Sequence, residues 1–271
     1  MSLALCVVVP CRDRADLLTG CLTALNAVLR PGDEVVVVDA ASTTGAVRAA
    51  AEAAGARCLR SERPPASVAR NLGWRSATAP LVAFVDDDCR PHAGWPEAVV
   101  HALQDLDVVC GRVVGDGSGH LSLLPDESPR DYDAGTPLAD LGHGANLAAR
   151  RDALVRLGGW DEALGPGTAW PGGEDKELLA RAVAAGLRTG YRPGPVVTHV
   201  QWRSRRQVVR TELGYARGAG ALARRGLGTA SARAELRTAV RDLRAGYQLG
   251  AVTGVARAVG VVWGRATGRR G

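Results

Sequence analysis

Short β-branched runs, apolar along their whole length, recur through the first half of the chain, with alanine- and leucine-rich stretches of helical period between them. This alternation limits the fold more than any other feature. The runs lie at residues 3–9, 34–38 and 81–85, with a weaker one at 56–59, and the helical stretches at 15–29, 44–54 and 66–77. A strand with no polar alternation must be covered on both faces, which predicts an α/β fold with a mostly parallel central sheet flanked by helices. At 271 residues the chain is long enough for one large α/β domain with an appendage.

In such sheets ligands bind beyond the carboxyl ends of the strands. Those positions hold Pro10-Cys11-Arg12-Asp13-Arg14 after the first run, Asp39 after the second and Asp86-Asp87-Asp88 after the fourth. All three clusters are expected on one rim, although Asp13 could equally cap the helix that follows it. Residues 115–140 are rich in Gly, Pro, Asp and Ser and read as a long surface loop, a kind that is usually functional. A short strand is expected near 145–148, a helix from about Asp152, a helix over about 174–185, and short strands near 188–191 and 196–200. Helical periodicity with glycine interruptions continues beyond Arg205, so a basic helical tail (205–271) is expected after a catalytic domain (1–204). The halves of that domain divide at about 114/115.

Charge is distributed unevenly. Residues 201–271 hold fifteen arginines, no lysine and three acidic residues, a net of +12, which leaves −6 on residues 1–200. A basic tail on an acidic body suits an anionic surface, such as a membrane leaflet or a polyphosphate-linked lipid. The tail lacks interleaved aromatics and nucleic-acid motifs, so no nucleic-acid partner is expected. The apolar run near 251–263 is interrupted by Arg257 and is shorter than a bilayer span. Six cysteines without C-x-x-C spacing indicate neither a zinc site nor a disulfide framework, and the opening run does not read as a signal peptide. The expectation is a cytoplasmic protein, docked through its tail at the inner face of the cell membrane.

Three segments carry chemistry. In Ala83-Phe-Val-Asp-Asp-Asp-Cys89, three consecutive carboxylates close a buried strand. A divalent cation with oxygen ligands would relieve their repulsion; a solvated acidic turn is the plainer alternative. Glu174 and Asp175 open an amphipathic helix, where they could simply complement the helix dipole or supply a general base. His199 ends a strand, where it is either structural or a further metal or phosphate contact.

Taken in order, these segments resemble glycosyltransferase family 2, inverting enzymes of the GT-A, Rossmann-like fold. VVVPCRDRADLLTGCLTAL resembles the family's first strand, turn and helix; EVVVVDAAST its second strand and turn; PPASVARNLGWRSA its RNxG helix. AFVDDDCRP resembles the DxD metal motif, GANLAARRDALVRLGGWDE the GxN-to-GGFDE segment, GGEDKELLARAVAAG the ED helix and VVTHVQWRS the terminal histidine strand. The resemblance covers residues 3–204. It implies that Pro10, Cys11, Arg12, Asp13 and Asp39 line a nucleoside pocket and that Arg70 faces a diphosphate. Asp86 and Asp87 would contact the donor, and Asp88 with His199 would hold Mn2+ or Mg2+. Asp175 would be the catalytic base supported by Glu174, and Gly144, Ala145, Asn146 and Trp160 would border the acceptor. Two departures fall at the nucleoside pocket: Ala40 stands for the usual second Asp, and Arg12-Asp13 for an aromatic-Asn pair.

The implied reaction transfers a sugar from a nucleoside-diphosphate sugar, UDP first and GDP or dTDP after it, to an acceptor hydroxyl. A sugar-1-phosphate nucleotidyltransferase is disfavoured because the first turn has no glycine. A non-catalytic nucleotide- or sugar-binding module would not need Asp88 and Asp175, both of which are present.

Overall fold

The computed structural model describes residues 3–117 and 122–225 without a break. Beyond them it describes residues 233, 236, 237, 239, 240, 252, 254–256, 258, 259 and 262. The expected alternation appears as β1 (Leu5–Cys11), α1 (Ala15–Val28), β2 (Glu34–Ala40), α2 (Ala46–Ala53), β3 (Arg57–Ser61), α3 (Ala66–Ser76) and β4 (Leu81–Val85). These four strands pair in parallel in the order β3-β2-β1-β4. Every residue of β1 is buried, because its two faces feed two separate cores. Cys6 and Val8 join Trp74 of α3, while Leu5, Val7 and Val9 join Leu18 and Leu22 of α1.

The second half adds β5 (Cys89–Pro91), α4 (Trp95–Asp105), β6 (Val108–Gly115), β7 (Arg130–Tyr132), β8 (Asn146–Arg150), α5 (Arg151–Leu157), α6 (Glu174–Ala184), β9 (Thr189–His199) and α7 (Arg205–Arg224). The sheet is less parallel here than the opening pattern suggests. β8 lies antiparallel between β4 and β6, and β9 runs parallel to β6 but antiparallel to β5 and β7. β8 follows a long connection rather than a βαβ crossover, so nothing forces it to run parallel.

The two strands expected near 188–191 and 196–200 are one strand, β9, whose pairing with β6 shifts register between Cys110 and Arg112. Gly111 sits at that irregularity, where a Cβ would stand 2.3 Å from Nδ2 of Asn146. The Asn146 amide fills the gap, donating to the carbonyls of Arg112 (3.0 Å) and Pro195 (2.9 Å).

The long loop over 115–140 is partly ordered by β7 and a 3-10 turn at Leu138–Asp140. Helix α7 opens with a capping box between Ser204 and Gln207. It then lies against residues 171–173: a Cβ on Gly218 would meet the Gly172 carbonyl oxygen at 2.4 Å, and one on Gly214 would meet Pro171 at 3.1 Å. Glycines on this face let the helix seat against backbone, which places the start of the basic tail beside the ED helix α6. The rest of the expected helical tail lies largely outside the described residues.

Candidate active site

The ends of β1, β2 and β4, the start of α6 and one face of α7 enclose a cavity of about 460 Å³. Pro10, Cys11, Arg12, Arg70, Asp86, Asp88, Gly144, Ala145, Glu174 and Asp175 all line it. Asp88 and Asp175, 87 positions apart in sequence, therefore face one enclosed space.

The three adjacent aspartates have different surroundings. Asp86 is the most open, and its Oδ1 accepts from Arg70 at 2.9 Å. Asp87 is fully buried and turned away from the cavity, 2.7 Å from Arg14. Burial pushes its carboxyl up to about 7, against the pull of Arg14. The donor-contact role expected of Asp87 is thus corrected: it lies in the turn between β4 and β5, where its buried carboxylate is taken up by Arg14.

Asp88 is also buried, yet it reaches the cavity. Its Oδ1 lies 3.3 Å from His199 Nε2, its Oδ2 accepts from the Trp202 indole at 2.8 Å, and Arg203 stands 3.5 Å away. Burial alone would raise this carboxyl, but His199 and the arginines outweigh it and hold it well below the usual range. Pairing of Cys89 with His199 across β5 and β9 brings the strand end and the histidine together.

Asp88, Cys89 and His199 offer donor atoms within 4.8 Å of one another. The carboxylate and imidazole suit a hard or borderline cation such as Mg2+ or Mn2+. The Cys89 thiol does not, because burial raises it well above its ordinary value and keeps it protonated. The Gln201 side-chain amide contacts the other ring nitrogen of His199, the kind of contact that orients an imidazole.

Arg70 is corrected in another way. Its guanidinium forks to Asp86 and to Glu174 Oε1 (3.1 Å), only 4% exposed, and lies 4.7 Å over the Trp160 ring. It ties the two carboxylate clusters together and does not stand free for a diphosphate. The cations nearest Asp88 are Arg14 and Arg203, which bracket the Trp202 ring at 5.3 and 4.6 Å.

Glu174 and Asp175 share a helix start but not an environment. Glu174 is buried, and burial with the neighbouring Asp175 pushes it up to about 7 despite Arg70. Asp175 is half-buried and fixed at both oxygens, Oδ2 accepting from the Gly144 amide (3.1 Å) and Oδ1 from its own Lys176 amide (2.7 Å). Gly173 makes this entry possible with φ of +86° and no room for a side chain against Leu222.

Several expected contacts lie behind the cavity. Asp13 does not cap α1. With φ of +54° it accepts from the Thr43 amide (2.7 Å) and hydroxyl, locking the turn after β1 to the turn after β2. Asp39 is buried, accepting from the Ser42 amide (2.9 Å) and Arg60 (2.6 Å), and it is Ala40 that reaches the cavity. Asn146 is spent on the β6–β9 irregularity and on the Trp95 indole (3.0 Å), which corrects its acceptor role. Trp160 is buried edge-on to Phe84 under Arg70, a floor and not a lining residue. Asn71 of α3 clamps the loop that carries it, exchanging hydrogen bonds with the Trp160 amide and carbonyl, both at 2.9 Å.

Sequence reasoning missed the far wall. His143, Lys176 and the α7 residues Glu212, Tyr215, Ala219 and Leu222 line it. Both ring nitrogens of His143 are buried without a hydrogen-bond partner among the described residues, and burial and Lys176 push it down to about 4, so the ring is neutral. The Gln201-Trp202-Arg203 run two residues after His199 was a legible clue; no sequence period points to Tyr215.

The chain is similar to known proteins in sequence and in fold. The profile of "Glycosyl transferase family 2" matches residues 6–155. A pre-mycofactocin glycosyltransferase of Mycobacterium tuberculosis is 31% identical over 218 residues, covering 71% of this chain, which in turn spans 42% of that relative. An uncharacterized glycosyltransferase of Mycobacterium bovis is 32% identical over 197 residues, 68% of this chain and 81% of its own length. Among solved structures, a mannosyltransferase of Pyrobaculum calidifontis in complex with GDP-Man and Mn2+ superposes with a TM-score of 0.62 at 22% identity, covering 100% of this chain and 76% of that one. GalNAc-T7 with UDP, GalNAc and Mn2+ gives 0.61 at 16% identity, covering 81% and 48%. A parallel β3-β2-β1-β4 half, aspartates at the end of β4 facing a carboxylate pair on α6, and a profile match across the first 150 residues of the body place this chain in glycosyltransferase family 2.

Proposed function

We propose that the protein is an inverting glycosyltransferase that moves a sugar from a nucleoside-diphosphate sugar to an acceptor hydroxyl, with Asp175 as general base. One observation carries the reading: Asp88 and Asp175 open onto the same cavity from separate elements. The nucleoside would lie against Pro10, Cys11, Arg12 and Ala40, in the cleft whose two turns Asp13 and Asp39 brace. Arg14 and Arg203 would face the diphosphate, a task suited to always-charged forked donors. The donor is UDP-linked first, with GDP and dTDP as alternatives.

Asp88 and His199 would hold a divalent cation, Mn2+ or Mg2+, which neutralises charge on a departing diphosphate. Asp175, fixed by two backbone amides, keeps lone pairs free to take the proton of an acceptor hydroxyl approaching from the side of His143 and α7. Attack from the face opposite the diphosphate inverts the anomeric carbon. Arg70 joins Asp86 to Glu174, so the donor and acceptor halves keep a fixed separation, and the high proton affinity of Glu174 spares Asp175 a second negative neighbour. Closing of the wall by Tyr215 and Leu222 limits water, the competing nucleophile.

The test is a panel of nucleotide sugars assayed for nucleoside-diphosphate release with Mn2+, Mg2+ or chelator, together with thermal shifts for UDP, GDP and dTDP. Release that needs metal and vanishes in Asp175→Asn supports the proposal. Release unaffected by chelator, or by loss of Asp175, removes it.

A further inference from the structure

Exposed apolar side chains are not spread evenly over this protein. In residues 3–204 the large ones among the described residues are Leu3, Val155 and Trp202. The much shorter remainder exposes Val209 and Leu213 on α7, and then Leu236 and Val240. Val252 (66%), Val255 (48%), Val259 (62%) and Val262 (58%) follow.

The last four are helical, as are the other described residues between 252 and 262. At about 100° per residue they fall within an arc of roughly 80°, one narrow face. Gly254 and Ala258 beside that arc are buried or tightly apposed: a Cβ on Gly254 would stand 2.7 Å from the Cβ of Ala239. Gly254 and Ala239 thus lie in close apposition, and Leu236, Val240 and the four valines are left outside. A chain that seals its two cores as fully as this one has no internal packing reason to leave so many valines in water.

The same part of the chain carries the cationic charge, fifteen arginines against three acidic residues over 201–271, beside a body of net charge −6. A second copy presenting the same positive face would be repelled. Exposed branched residues in an arginine-rich part of the chain match the interface of an anionic bilayer, where valines enter the acyl boundary and guanidinium groups meet phosphates. No helix among the described residues is long and apolar enough to cross a membrane. We infer that the exposed Leu236, Val240, Val252, Val255, Val259 and Val262 dock the protein onto anionic lipid bilayers. The inference stands independently of the catalytic reading.

Co-sedimentation of the full chain with vesicles of equal parts phosphatidylcholine and phosphatidylserine, and with phosphatidylcholine alone, tests it. Binding is expected to be at least tenfold stronger to the anionic vesicles and to weaken as salt is raised. The double variants Val255→Ser/Val259→Ser and Val255→Asp/Val259→Asp, checked for unchanged circular dichroism and thermal unfolding, are expected to lose at least tenfold in binding. Equal binding to both vesicles, no binding, or unaltered binding by both variants overturns the inference. So does a concentration-dependent dimer, seen by light scattering, that the serine variant dissociates while the parent chain ignores vesicles, for then the face joins two copies.

Discussion

Replacing Glu174 by glutamine isolates the electrostatics of the carboxylate pair. Burial, with Asp175 beside it, lifts Glu174 from 4.5 to about 7, so the folded protein holds this proton more tightly than the unfolded chain does. A raised folded value means that the stabilisation is fully present below pH 4.5 and is lost as pH rises through about 7. At about 1.36 kcal/mol per pH unit, the shift corresponds to about 3 kcal/mol of stability. Glutamine has the same shape and can still accept from Arg70, but it does not titrate. Whatever glutamine costs in packing is independent of pH and cancels in the slope. The stability of the parent minus that of Glu174→Gln should therefore fall by about 3 kcal/mol between pH 4 and pH 8. Urea unfolding of both proteins at half-unit pH steps measures it, with m-values confirming that the transitions are comparable. A difference that stays flat within about 1 kcal/mol, or that grows with pH, would refute the reasoning and show that Arg70 keeps Glu174 ionised.

Asp175→Asn should lower turnover by about 10²–10⁴-fold with circular dichroism unchanged, as expected for loss of a positioned base. Asp88→Asn should cost about 10²–10³-fold and raise the Mn2+ concentration needed for half-maximal rate, whereas Asp87→Asn should stay within about tenfold of the parent, because Asp87 faces Arg14 and not the cavity. Asn71→Ala strands the Trp160 amide and carbonyl and the Trp74 indole in the core, and should destabilise by about 3 kcal/mol or more in urea unfolding. Gly218→Ala drives a methyl towards the Gly172 carbonyl, at a cost of about 1–3 kcal/mol, and should reduce turnover with it, since that loop carries the base.

The helices and strands of the first half were legible because each is bounded by its own local chemistry. The run expected over 81–85 is β4 itself, and the helix expected over 66–77 is α3 to within a residue. Motifs also located the cavity: the first turn, Asp86, Asp88, Gly144 and the Glu174-Asp175 pair meet there. Elements held by partners distant in sequence were harder to read. β5 and β7 are three residues each and exist only because β9 pairs with them, and β9 reads as two strands until its irregular register with β6 is seen.

The sequence by itself determined the layered α/β architecture, the family and the carboxylates that define the site, because hydrophobic period and motif spacing are written along the chain. Only the tertiary structure decided what each of those groups faces. Asp87 turns inward beside two neighbours that do not, Arg70 is consumed by Asp86 and Glu174, Asn146 fills a gap in the sheet, and the basic tail begins as a wall of the cavity. Side-chain direction at the end of a strand and the docking of a glycine-faced helix depend on close packing between residues far apart in sequence, and no local pattern encodes that packing.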